Sequence, residues 1–317
     1  MTAEAGSWFT EKAHEHEHHQ YACRRVVHSC MTKFQSVQIL DTFNYGRMLV
    51  LDGRVQSAES DESIYHEALI HPGMMTHPNP RRVLVVGGGE GASLREILRH
   101  PSVEEVTVVE LDEEIIRLAR RHLGSWHRGA FDSPKIRLLY QDGRELLETS
   151  EDAYDVVVVD VTDLLDDGPA RALYTEEFYR LVKRRLSRPG LVIVQGLPLS
   201  PLDYDQHATL LATLKAVFPI VRSYKTFIPS FWTDWGFLIA SEDLDSMALP
   251  VAELAERIRL RLGNPPPPLG PLTFYGAEEH RALFHIPGML QVLLQKAGRV
   301  LKDADIRRSA IPTVGHD

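Results

Sequence analysis

Five short stretches bearing an acid or an amide recur through the middle of the chain, each directly after a run of Val, Ile or Leu. They are Gly87-Gly88-Gly89-Glu90-Gly91, Glu110, Asp142-Gly143, Asp160 with Asp163 close behind, and Gln195-Gly196. A single acid in such a place is explained by helix capping, because a carboxylate accepts from free backbone N–H groups. Four in succession point instead to a site that handles positive charge and hydroxyl groups. The glycine-rich loop alone is compatible with a dinucleotide, a nucleoside or a plain tight turn. Glu90 narrows the choice: a pyrophosphate needs bare N–H groups and a helix N-terminus, and a carboxylate among them repels it. NAD and ATP are thereby disfavoured. Glu110, about 20 residues past the loop, is placed to accept from ribose hydroxyls, and Asp142 from an adenine amino group. The implied ligand is a nucleoside with a cationic tail, such as the sulfonium S-adenosylmethionine or its decarboxylated form. The intact form has a carboxylate that Glu90 would repel. Decarboxylation leaves a propylamine that Glu90 can hold by a charge-assisted hydrogen bond.

These residues need strands to carry them. From Arg82 onward VLVV (83–86), VTVVEL (106–111), IRLLY (136–140), VVVVD (156–160) and LVIVQ (191–195) alternate with amphipathic stretches. The helical stretches start near Ser93, end near Leu123, start near Thr175 and lie near 206–217. Near-continuous Val/Ile/Leu runs separated by helices predict a parallel sheet covered on both faces. IVRSYKTF and WGFLIAS extend it to seven strands. In such a sheet the ligand lies beyond the C-terminal strand ends, where the acids are. Residues 46–58 read instead as a hairpin about Asp52-Gly53 and, with 34–40, predict a small antiparallel sheet. Ser60-Asp61-Glu62 is expected to cap a short helix carrying Tyr65, Leu69 and Pro72. Pro78 and Pro80 mark a boundary, giving an N-terminal β-hairpin domain over 1–75 and a Rossmann-like catalytic domain with a C-terminal helical extension over 76–317. The extension holds VAELAERIRLRL, a stiff proline-rich spacer NPPPPLGP and a last helical stretch ending near Leu301.

Composition sets outer bounds. The 317 residues are 44% apolar and 25% charged, an ordinary globular balance that excludes a disordered or collagenous chain. A net charge of −9, with no basic run interleaved with aromatics, argues against a nucleic-acid partner and permits a cationic substrate. No apolar run reaches the roughly 18 to 20 residues of a membrane span, so no membrane partner is expected. The first twenty residues lack the order of a signal peptide. Cys23 and Cys30 form no disulfide framework, and the expected location is the cytoplasm. His14, His16, His18 and His19 lack a completing acid or Cys at metal-site spacing. They read as a solvated segment, and no metal is expected. Trp126 is expected to pack beneath its loop.

FQSVQIL, LVLDGRVQSAESDESIYHEALIHP, VLVVGGGEGASLREILRHP, YDVVVVDVTD and LYTEEFYRLVK span most of residues 34–241. Together they resemble the polyamine aminopropyltransferases, the family of spermidine, spermine and thermospermine synthases. GGGEGA, with Glu90 where many members have Asp, is similar to the thermospermine-synthase and thermophile triamine-forming branch. The resemblance implies a small N-terminal β domain before a methyltransferase-type sheet, assembled as a homodimer or homotetramer. It also implies transfer of an aminopropyl group from decarboxylated S-adenosylmethionine, as co-substrate, to an amine, with no cofactor bound permanently. Asp160 would be the proton acceptor, and Asp163 the carboxylate that grips the amine. Gln56, Tyr65, His66, Glu90 and Trp235 would line the amine and aminopropyl site, and Gln35, Glu110, Asp142, Gly143 and Pro169 the thioadenosine site, with Gly87, Gly89 and Gly91 forming the loop. The chain departs from the family at Leu164, where Pro is usual, in the lengthened loop LLDDGPARA, and at Phe231, where many spermidine synthases place Tyr. Putrescine, agmatine, spermidine and longer amines all stay open as acceptors. The alternatives are a methyltransferase using intact S-adenosylmethionine and a non-catalytic polyamine- or nucleoside-binding protein.

Overall fold

A computed structural model describes residues 6–162, 169–263 and 269–306. The chain opens with a five-stranded antiparallel sheet in sequential order: β1 (Ser7–His14), β2 (Glu17–Met31), β3 (Ser36–Thr42), β4 (Arg47–Leu51) and β5 (Arg54–Ala58). Asp52 and Gly53 have φ of 48° and 74°, as the two-residue turn between β4 and β5 requires. The histidine-rich segment is solvated at His16 and His18 as expected, and it is also folded into the β1–β2 hairpin. His18 pairs with Lys12 and His19 with Glu11 across this hairpin. The two strands hide from a hydrophobicity reading because polarity and burial do not match along them: Glu11 is buried with Tyr21 and Cys23, while Trp8 and Val26 are exposed.

The second sheet has seven strands. β6 (Arg82–Gly87), β7 (Glu105–Glu110), β8 (Ile136–Tyr140), β9 (Tyr154–Asp160) and β10 (Leu186–Pro198) run parallel, and β11 (Ile220–Ile228) and β12 (Thr233–Ser241) join antiparallel, in the order β11-β12-β10-β9-β6-β7-β8. This is the seven-stranded sheet with a parallel centre expected from the Val-rich runs, in the Rossmann-like, methyltransferase-type arrangement that the resemblance implies. Alternate residues feed two cores. Val83, Val85, Val156 and Val158 pack on one face with α1 (Glu62–Thr76) and α2 (Ala92–Leu98). Leu84, Val86, Val157 and Val159 pack on the other with α5 (Gly143–Thr149), α6 (Glu176–Arg185) and α7 (Asp205–Lys215). The helices α3 (Glu113–His122) and α4 (Gly124–His127) follow β7, and Trp126 is fully buried there, its Nε1 donating to Ser57 Oγ at 2.7 Å.

The first turn of α1 differs from expectation. Asp61 stands at the N-cap position, yet its side chain makes no cap hydrogen bond. It accepts instead from Ser230 N at 2.6 Å and Ser230 Oγ at 3.0 Å, and Glu62 turns to Arg95. The helix is buried on nearly every side and runs 15 residues, so acids at its start serve neighbouring elements before their own helix. Gly73 permits its close approach to Leu191 and Ile193 of β10.

The C-terminal extension carries α8 (Val251–Leu262), α9 (Ala277–Leu283) and α10 (Gly288–Ala297); the last helix ends at Ala297, and Leu301 follows outside it as a buried residue. The prolines at 265–268 of the expected spacer lie outside the described residues. Among the described residues no helix is long and apolar enough to cross a membrane. One carboxylate fastens the extension to α1. Glu67, 1% exposed, accepts from Thr273 N and Oγ1 at 2.9 Å each, Phe274 N at 2.9 Å and Tyr275 N at 2.7 Å. Glu67→Ala leaves four donors without their acceptor, of which Tyr275 N is buried and the others are part-buried, and should lower stability by about 1 to 3 kcal/mol. Glu67→Gln, which keeps one acceptor oxygen, should cost clearly less. Urea unfolding midpoints read the difference, and equal midpoints for Ala and wild type would show that the fastening carries no stability.

Candidate active site

The parallel register of β6 and β9 sets Gly87 opposite Asp160. Gly87 has φ of +83°, and a Cβ there would collide with the Asp160 carbonyl, which accepts from Gly88 N at 2.8 Å. The loop is thus clamped against the strand that ends in the expected proton acceptor. Tyr65 Oη donates to Asp160 Oδ1 at 3.0 Å, and Ser93 Oγ donates to Oδ2 at 2.6 Å. Burial first, then the Asp160 charge, pushes the Tyr65 phenol well above its ordinary range, so it stays a donor. Ser93 was not singled out from the sequence; its place one residue into α2, after the loop, was the available signal.

Glu90 lines the same cavity, and behind it lies His66, 1% exposed, with Nε2 2.6 Å from Glu90 Oε1. The cavity lining includes Tyr65 but not His66, so of the two neighbours expected at the amine channel, His66 forms a second layer. Burial lowers the His66 imidazole, but Glu90 and Glu62 outweigh it and hold it up at about 10. Burial raises Glu90 above the usual carboxylate value, with the His66 charge pulling it back.

Glu110 ends β7 next to Gly89, where a Cβ would come within 2.9 Å of Glu110 Oε2. Its Oε1 accepts from Asp112 N at 3.0 Å. Asp112, which the sequence reading passed over, lines the cavity and receives Gln35 Nε2 at 3.3 Å and Thr32 Oγ1 at 2.6 Å. Asp142 also lines the cavity, while its Oδ1 caps α5 by accepting from Arg144 N at 2.7 Å and Glu145 N at 3.1 Å. Capping and cavity lining therefore coexist at this strand end, with Gly143 beside it. Gly91 stands outside the lining as the N-cap of α2.

The other wall is aromatic. Phe231 and Trp235 lie edge to face at 4.8 Å, with Tyr65 6.0 Å from Phe231 and Gln56 alongside in the lining. Trp235 Nε1 donates to Gln195 Oε1 at 3.2 Å, which gives the strand-end amide a supporting role. Asp163 and Leu164 lie outside the described residues; Pro169 opens a short 3-10 turn to Leu173, and Ala170 reaches the lining. Among the described lining residues Asp52, Glu90, Glu110, Asp112, Asp142 and Asp160 face a single basic side chain, Arg54. Such a cavity attracts cations. Among the described residues no group of three His, Cys, Asp or Glu is arranged to hold a metal ion.

Residues 62–249 match the family described as "Spermine/spermidine synthase domain", and residues 7–59 match the "Spermidine synthase tetramerisation domain". The chain is 48% identical to polyamine aminopropyltransferase 2 of Pseudomonas aeruginosa, over 89% of this chain and 80% of that protein. It is 33% identical to a thermospermine synthase of Arabidopsis thaliana, over 95% and 86%. Among solved structures, a spermidine synthase in complex with the transition-state analogue AdoDATO superposes with a TM-score of 0.83 at 30% identity, covering 92% of this chain and 95% of that one.

Burial, above all, pushes the Glu110 carboxyl up from 4.5 to about 7. The folded protein therefore keeps a proton that the unfolded chain releases near pH 4.5. The stability of this neutral form is present below that pH and is lost as pH rises towards 7. Glu110→Gln should unfold with wild type near pH 5 and above it at pH 8, by no more than about 2 kcal/mol because cavity water screens the charge. Thermal unfolding at both pH values checks this, and a pH-independent difference would remove the raised carboxyl.

Proposed function

The chain belongs to the spermine/spermidine synthase family, and on that premise we propose that it moves the aminopropyl group of decarboxylated S-adenosylmethionine to an aliphatic amine. Methylthioadenosine leaves. The observation that carries this reading is a cavity in which, among the described residues, six acids face one base and one carboxylate, Asp160, is held from two sides by Tyr65 and Ser93.

An aliphatic amine has a pKa near that of Lys, about 10.4, so at neutral pH it is almost wholly protonated and has no lone pair to attack with. Asp160 takes that proton. The freed nitrogen attacks the propyl carbon next to the sulfonium, the N–C bond forms, the C–S bond breaks, and the electron pair neutralises sulfur. Asp160 and its two donors fix the base before substrate arrives, and alignment of nitrogen, carbon and sulfur supplies much of the remaining acceleration. Glu90 holds the propylamine, Glu110 and Gln35 the ribose side, Asp142 and Gly143 the adenine, and Pro169 the cover over the site. Gln56, Tyr65 and Trp235 line the path of the amine, with Asp163 gripping it. His66 contributes from behind Glu90.

Phe231 offers no hydroxyl, and the indole N–H of Trp235 is committed to Gln195. This wall therefore holds an amine chain by packing and by cation–π attraction of roughly 0.5 to 2 kcal/mol. That supports acceptors from putrescine to longer polyamines or agmatine. Intact S-adenosylmethionine would bring its carboxylate against Glu90, so the methyltransferase alternative is not favoured. The match over residues 7–59 supports a homo-oligomer, and we take it as a homotetramer. A permanently charged co-substrate that does not cross membranes unaided supports a cytoplasmic location.

Incubation with decarboxylated S-adenosylmethionine and a panel of amines should yield methylthioadenosine and an amine lengthened by one aminopropyl unit, read by mass spectrometry. If no amine is consumed, the assignment fails and a binding protein is left. Asp160→Asn should cut turnover roughly 100-fold or more while leaving methylthioadenosine affinity nearly intact. Near-normal turnover would remove Asp160 from the base role.

A further inference from the structure

We propose that Glu62 and Arg95, neither of which lines the cavity, are positioning residues that keep Glu90 in its charged, cavity-facing state by way of His66. The inference rests on the reading that Glu90 receives the propylamine of the co-substrate. Both ring nitrogens of His66 face oxygen atoms. Nδ1 lies 2.6 Å from the Glu62 carbonyl and 3.1 Å from Glu62 Oε2, and Nε2 lies 2.6 Å from Glu90 Oε1. Nδ1 must donate, because its nearest neighbour is a carbonyl oxygen, while Nε2 stands at ion-pair distance from Glu90 without an aligned hydrogen bond; a ring set between two carboxylates in this way is stabilised as an imidazolium.

Glu62 is held in turn. Arg95 grips it with both ends of its fork, Nη1 to Oε1 at 2.8 Å and Nη2 to Oε2 at 2.9 Å, while Arg95 Nε reaches Glu96 Oε1 at 2.5 Å and Nη1 reaches the Trp126 carbonyl at 2.6 Å. The side chains of His66, Glu62 and Arg95 are 1%, 8% and 2% exposed. The result is a buried row of alternating charge, Glu90, His66, Glu62, Arg95 and Glu96, running from the cavity into the interface between α1 and α2.

Its purpose follows from what a His66–Glu90 pair would do alone. In a buried pair the proton can pass from imidazole to carboxyl, leaving two neutral groups and no desolvated charge. A neutral Glu90 would hold an ammonium poorly. Glu62 makes the imidazolium the better holder of the proton, and Arg95 keeps Glu62 ionised and aimed. In agreement, Glu62 is driven below the usual carboxylate range, with the bonds from His66 and Arg95 outweighing its burial.

The test is calorimetric binding to the full-length protein of decarboxylated S-adenosylmethionine and of methylthioadenosine, which lacks the propylamine. Glu62→Gln should weaken the first by about tenfold and the second by less than about twofold, the scale of a lost charge-assisted contact. Glu62→Gln combined with Glu90→Gln should bind the co-substrate no worse than Glu90→Gln alone, since the two act in series. Equal losses for both ligands, or additive losses in the double variant, would mark Glu62 as merely structural and overturn the proposal. Should Glu62→Gln not fold, Arg95→Lys keeps the charge, removes the fork and should show the same selective loss at smaller size, about threefold; unchanged or unselective binding there overturns it. If Glu90→Gln itself leaves co-substrate affinity unchanged, the reading of Glu90 fails first, and the proposal with it.

Discussion

The structure turns on the burial of one helix. α1 lies against the larger sheet and beside α2 with Asp61, Glu62, His66, Glu67 and His71 all buried and Tyr65 partly so. Buried polar groups must be paired or the fold loses more than it gains. Here the partners sit on different elements: Asp61 on Ser230, Glu62 on Arg95, Tyr65 on Asp160, Glu67 on residues 273–275, and His71 on Glu96 and His100. The requirement that each group be satisfied thus fixes the positions of the pocket wall, of the loop helix, of the proton acceptor and of the C-terminal extension relative to one another. Site geometry is a by-product of hydrogen-bond accounting along 15 residues.

The same burial sets the electrostatics. Loss of water at the parallel strand ends above all, and then repulsion between the gathered acids, pushes Glu110 and Glu90 towards the neutral form. An incoming cation relieves both costs at once, so a cavity strained by its own acids is primed for a sulfonium and an ammonium. Glu90 is the exception that is compensated from within the protein, through His66.

What the sequence disclosed were patterns confined to neighbouring residues. Val-rich runs foretold the seven-stranded sheet, and Asp52-Gly53 the tight turn. Glu90, Glu110, Asp142 and Asp160 stood out because a strand end is recognisable from the run before it. The missed parts depend on partners far along the chain. Asp61 looked like a cap, and only the meeting with Ser230, 169 residues on, redirects its carboxylate. β1 and β2 escaped because a buried acid, Glu11, and exposed apolar residues, Trp8 and Val26, break the match between polarity and burial. His66 was carried by a resemblance to the amine channel, and its seat behind Glu90 depends on the longer side chain of this loop acid and on Arg95.

A single amide shows how support and site interlock. Gln195 Nε2 donates to the Val161 carbonyl at 3.0 Å and to Tyr174 Oη at 2.7 Å, and its Oε1 accepts from Trp235 Nε1 and Leu197 N, each at 3.2 Å. Tyr174 Oη in turn donates to the Thr162 carbonyl at 3.0 Å. The orientation of the amide is forced, because carbonyls occupy one end of the network and N–H groups the other. Val161 and Thr162 directly follow Asp160, Trp235 forms the aromatic wall, and Tyr174 leads into α6. One side chain that donates twice and accepts twice therefore couples the backbone after the proton acceptor to the wall against which an amine would lie. An acid or a hydroxyl at position 195 lacks that pairing of donors and acceptors, which is the physical reason for an amide at the fifth strand end where the four before it carry carboxylates.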